Sequence, residues 1–175
     1  MMALNISYQE EDQLVAELTE LGVSYLSHEG GTYAHPRPVD MLLAGLILQP
    51  SSRVRVALIA LLLAKPGYAA FVPEALKQLN AENAQILKLF YSAAVALQEK
   101  HTALLRKFQG TDWQSLPDLF GTELGIEGET PQARLRQLAQ LHAEQTGIRL
   151  NWLGTYENAA RHLLRRWELE SQWNR

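Results

Sequence analysis

Apolar residues recur with the 3.6-residue period of helices along almost the whole chain. Leu14, Val15, Leu18 and Leu21 share one helical face, and Gly22 follows as a stop. Ser7-Tyr8-Gln9-Glu10 has the pattern of a capping box at the start of that helix, and Glu10, Glu11 and Asp12 suit the positive end of its dipole. Pro38 is placed to open a second helix that runs to Leu48. Pro50-Ser51-Ser52 breaks the chain, Ser52 caps a third helix over Arg53 to Ala64, and Pro66-Gly67 ends it. So short a link predicts that these two helices lie antiparallel. The third is apolar on nearly every side after Arg55, the pattern of a central, fully buried element.

Pro73 opens a short helix to about Leu79. Asn80 then caps the longest predicted helix, Ala81 to about Phe108, which at 1.5 Å per residue would run about 42 Å. Its stripe is Ile86, Phe90, Ala93, Ala94, Leu97, His101, Leu104 and Phe108, and Gly110 ends it. Residues 111–129 read as a looser connector with a helical turn at Leu116–Phe120. Thr130-Pro131 starts a strong helix that Gly147 closes, with Leu135, Leu138, Ala139 and His142 on its inner face. A last helix starts at Thr155. The least regular part is 23–37, VSYLSHEGGTYAHPR, where a short extended pair fits Val23, Tyr25, Thr32 and Tyr33. The pattern therefore predicts an all-α single domain over 1–175. We expect an irregular bundle around the Arg53–Ala64 helix, crossed by the long Ala81–Phe108 helix.

Composition narrows the function classes. The chain has 175 residues, 47 % hydrophobic and 20 % charged, which is globular and long enough to bury a core. It has no cysteine, so disulfides, thiolate metal sites and cysteine nucleophiles are excluded. The first residues, MMALNISYQEED, lack the basic and apolar regions of a signal peptide. The most apolar run, Val56 to Ala64, would span about 14 Å as a helix, less than half a bilayer core. Together these features predict a cytoplasmic protein without a membrane segment.

The net charge of −3 is uneven. Residues 1–52 hold seven acids and one base, and residues 53–110 hold eight bases and three acids. The expectation is that the acidic front folds onto the basic middle; the rival reading is an anionic partner for the middle segment.

The last helix decides between partner classes. Tyr156, Ala160, Leu163, Leu164 and Trp167 form one face, and Arg161, Arg165 and Arg166 fall off it. Glu157, Glu168 and Glu170 stand three or four residues from these arginines, so each can pair along the helix surface. A self-paired helix leaves no cations for phosphates, which argues against nucleic acid. Trp173 lies beyond the apolar face near the terminus, so Trp167 and Trp173 are the candidate interaction residues.

Chemistry is sparse. His28, His35 and Asp40 are the one loose set of metal-ligand types, in the Gly30-Gly31 loop, but their spacing matches no ligand motif. His101 and His142 sit on apolar stripes, where a lone histidine is usually a core residue with one hydrogen bond. No phosphate-binding loop and no nucleophile elbow is present. No catalytic residue and no cofactor are therefore assigned. The leading reading is a non-enzymatic interaction or regulatory module that binds itself, as a homodimer, or another protein. Its rivals are a nucleic-acid-linked regulator using segment 53–110 and an enzyme with a site in the His28–Asp40 loop.

Overall fold

The computed structural model describes residues 2–26 and 35–175, with side chains from Gln9 onward. Its order is α1 Met2–Glu20, α2 Val39–Ile47, α3 Ser52–Ala64, a 3₁₀ segment Pro66–Phe71, α4 Val72–Lys77, α5 Ala81–Lys100, α6 Thr102–Gln109, α7 Gly121–Leu124, α8 Pro131–Thr146 and α9 Trp152–Trp173. The chain is all-α, a multi-helix bundle without strands among the described residues. Of the extended pair expected near 23–37, Val23 and Tyr25 are not in a strand and Val23 is a buried core residue, while Thr32 and Tyr33 lie outside the described residues.

α3 is the centre. Val54 and every residue from Ala57 to Leu63 are fully buried. It packs against α2, α5 and α9, and α8 closes over α5 and α9. No single helix among the described residues is long and apolar enough to cross a membrane. Ser52–Ala64 and Pro66–Lys77 together reach that apolar length only across a 116° bend.

Local chemistry explains most boundaries. Asn80 accepts from the Asn83 amide at 2.8 Å, and Thr130 accepts from the Ala133 amide at 3.1 Å. Gly147 takes the left-handed conformation (φ 68°) that closes α8. Ser52, expected as a cap, is instead the first residue of α3, behind Ser51 and with no side-chain cap bond, and three other starts differ more widely. α1 begins five residues before Ser7, so the capping-box sequence lies inside the helix. α9 is capped by Asn151, whose side chain accepts from the Gly154 amide at 3.0 Å, while Thr155 donates back to the Asn151 carbonyl. The turn expected at Leu116–Phe120 falls instead at Gly121–Leu124, because Asp118 accepts from the Gly121 amide at 2.8 Å.

Another difference shapes the surface. The stretch expected as one helix, Ala81–Phe108, is two. His101 leaves helical geometry (φ −109°, ψ 22°), and the Thr102 hydroxyl donates to the carbonyls of both Gln98 and Glu99 at 2.9 Å. A threonine that bonds back to the preceding turn offers those carbonyls an alternative to the helical ladder and favours a bend. Beyond the break the register shifts. Leu105 is fully buried, and Leu104, expected inside, is 45 % exposed.

Charge is also arranged differently from expectation. Arg37, the one base of the acidic front, donates to both Glu10 and Glu17 at 2.9 Å. Among the described residues, Arg53 to Glu11, at 3.7 Å, is the one ion pair joining it to segment 53–110.

Candidate functional site

The exposed Leu104 forms part of the floor of a groove between α6 and α9. Its cavity is about 410 Å³, lined by Lys100, His101, Leu104, Lys107 and Phe108 on one side and by Glu157, Arg161, Leu164, Arg165 and Glu168 on the other. That volume is at the small end of ligand clefts, which run from about 300 to 1,000 Å³. The floor is apolar (Leu104, Phe108, Leu164) and the walls are charged.

The pairing of those charges corrects the expectation of a self-paired last helix. Only Arg166 closes its bridge, to Glu170 at 3.0 Å. Glu157 takes Lys100 of α5 at 2.9 Å, and Arg161 stays near enough to act on its charge without closing an ion pair. That bond to Lys100 holds the Glu157 carboxyl below the usual range. Lys107, Arg161 and Arg165 have no carboxylate within 4.0 Å among the described residues. The Lys107 ammonium rests 5.8 Å from the centroid of the Phe108 ring. Burial, and then the neighbouring Lys100, lower the pKa of His101, so its imidazole is neutral near pH 7. The groove therefore carries four cations against two carboxylates, a local excess of two positive charges on a chain of net charge −3.

A second cavity, about 570 Å³, opens beside Lys65, Tyr68, Gln109, Asp112, Trp167 and Glu170. Its charges are of mixed sign. The Gln109 amide is anchored, since its nitrogen donates to the Leu63 and Ala64 carbonyls at 2.7 and 3.1 Å. This cavity offers no convergent charge.

Beneath the surface, α8 and α9 are joined by an aromatic cluster. His142 is buried, with its ring stacked on Trp152 and its Nδ1 at 2.6 Å from the Tyr156 hydroxyl. Phe90 meets it edge-on at 5.4 Å. Burial, helped by the nearby Arg55 charge, lowers the His142 pKa to about 4, and burial raises that of Tyr156. The pair is thus a neutral hydrogen bond near pH 7, sealed in the core. His101 and His142 lie in these two separate places.

The other residues singled out from sequence are scattered. His28 lies outside the described residues. His35 is exposed, and Asp40 accepts from Gln78 at 2.6 Å. The described residues contain no group of three or more metal-ligand side chains. Trp167 is half-buried, with its indole donating to the Gly22 carbonyl at 3.0 Å and its ring edge-on to Phe108. Trp173 is 67 % exposed, with the Arg166 guanidinium 5.3 Å from its ring. Sequence reasoning missed the groove because it placed Leu104 inside and paired Arg161 with Glu157. The signal that could have found it is Thr102 next to His101, a weak helix pair in the middle of a long run.

No protein-family model, no curated protein and no solved structure matches the chain significantly.

Proposed function

We propose that this chain is a non-enzymatic interaction module of the cytoplasm that seats a partner protein in the groove between α6 and α9. One observation carries the reading: Lys107, Arg161 and Arg165 stand without carboxylates around an apolar floor that includes the exposed Leu104. Leu104 is one of several exposed apolar residues, and what sets it apart is its place with Phe108 and Leu164 on a concave floor rimmed by cations, which supports a binding role. A second copy of the chain, held through Trp173 as a homodimer, is the neighbouring form of the same reading.

The two rivals are less well supported. The bases of segment 53–110 are dispersed. Arg53, Lys77, Lys88 and Lys100 pair with carboxylates at separate places, and Arg106 lies 4.2 Å from the Trp113 ring. A phosphate backbone needs a continuous row of free cations. Of the proposed enzymatic site at His28–Asp40, the described residues include exposed His35 and amide-bonded Asp40, and His28 lies outside them.

The reading is tested without knowing the partner. Residues kept for binding contribute little to folding. Leu104→Gln, Lys107→Gln and Arg161→Gln should each leave unfolding free energy within about 0.5 kcal/mol of the parent or raise it. A loss of about 2 kcal/mol or more from any two of them would make the groove a structural feature and end the proposal.

A further inference from the structure

The groove also specifies what kind of partner it takes. We propose that it holds an acidic amphipathic helix, which lays apolar side chains on Leu104, Phe108 and Leu164 and sets two carboxylates, one turn apart, against Arg161 and Arg165. This rests on the reading of the groove as a protein-binding site.

Three features point to that occupant. The first is charge complementarity. The groove is locally positive on a net acidic molecule, so an acidic segment is attracted there and repelled by much of the remaining surface. The second is spacing. Arg161 and Arg165 are four residues apart on α9, about 6 Å along the axis, the same repeat as two acids at i and i+4 on a helix lying alongside. The third is the combination of an apolar floor with a charged rim between two helices, which suits a helix in a groove. From Glu157 to Glu168 the wall runs about 16 Å, or three turns of a bound helix.

Other occupants fit less well. A phosphate backbone has no apolar face to lay on the floor of Leu104, Phe108 and Leu164. On the acidic front of a second copy, Arg37 engages Glu10 and Glu17 and Arg53 faces Glu11, which leaves Asp12 and Glu20 of α1 eight residues apart, twice the spacing of the two arginines.

The experiment is selection of a random displayed peptide library, about 14 residues long to allow four helical turns, on the full-length protein. Recovered peptides are then titrated by fluorescence anisotropy against the parent, Arg161→Glu with Arg165→Glu, Arg161→Gln, and Leu104→Asp. Circular dichroism checks that each variant is folded. The expected result is a set of peptides with acids at i and i+4 flanking apolar residues. Their affinity should fall about tenfold or more on the double reversal, and fall as salt rises from about 0.05 to 0.5 M. Peptides without acidic pairs, or peptides that bind the double reversal as well as the parent, overturn the acidic-helix proposal. If those same peptides are still lost on Leu104→Asp, the groove reading survives alone. Displacement of a bound acidic peptide by a single-stranded oligonucleotide, or by phosphatidylglycerol vesicles, at lower concentration than by free peptide would also overturn it, in favour of a non-protein anion. Recovery of no peptide at all contradicts both the occupant and the groove.

Discussion

The imidazole of His142 lies flat on the indole of Trp152, with ring centroids 3.6 Å apart and planes 9° from parallel. The same imidazole is hydrogen-bonded to Tyr156, one turn further along α9. α8 and α9 are thus fastened by a histidine that must be neutral to fit. That arrangement fixes how the fold responds to acid and holds α9, which carries half of the groove, against the rest of the bundle.

The first prediction follows from that histidine. Its folded pKa of about 4 lies below the ordinary 6.5, so the unfolded chain binds more protons between those values. Stability is fully present above about pH 6.5, falls as pH drops through that window, and has lost the whole contribution below about pH 4. The size is on the order of 3 kcal/mol. Urea unfolding from pH 7 to pH 4 should show this slope, and His142→Phe should flatten it while lowering stability at pH 7. An imidazole that titrates near 6.5 in the folded protein by nuclear magnetic resonance would refute the assignment.

Leu61 lies at the middle of α3, fully buried among helices on every side. Leu61→Ala should cost about 2–5 kcal/mol, the range for a core leucine that leaves a cavity. Chemical denaturation checks it, and an unchanged midpoint would displace α3 from the centre.

The two C-terminal tryptophans should behave oppositely. Trp167 is anchored to the Gly22 carbonyl and packed on Phe108, so Trp167→Ala should cost about 2–4 kcal/mol. Trp173 touches the fold through the Arg166 guanidinium, a surface contact, so Trp173→Ala should stay within about 0.5 kcal/mol for the isolated chain. Thermal melts at low concentration separate the two. Equal losses would contradict the placement of α9.

These elements show what was legible in the sequence. α3 could be read because an all-apolar stretch between Ser52 and Pro66 has only one place to go. α8 could be read because Thr130, Pro131 and Gly147 each carry a local mechanism. The break at His101 was not legible from periodicity, since Leu104 and Leu105 both continue a plausible stripe and only the Thr102 hydroxyl decides between them. Nor could the last helix be read correctly from its own spacing. Glu157 has two cations in reach, and the choice of Lys100 over Arg161 depends on α5 lying alongside. Both misses concern the groove, because a groove is made by how two helices meet.

The break itself can be tested. His101→Leu with Thr102→Ala should allow α5 and α6 to merge, since the competing hydroxyl is gone and both replacements are good helix formers. Carbon chemical shifts at 101 and 102 should then become helical. Unchanged shifts would place the cause of the bend elsewhere, in the packing of Leu105.

The central claim is that the groove between α6 and α9 is the working surface. The most direct measurement is amide chemical-shift mapping of the full chain with small organic probes, both anionic and neutral, each with an apolar body. The account predicts that shifts from the anionic probes cluster on Leu104, Lys107, Phe108, Arg161 and Arg165, and that neutral analogues shift them less. Shifts that gather instead around Lys65, Gln109 and Asp112, or that fail to distinguish anionic from neutral probes, would contradict it.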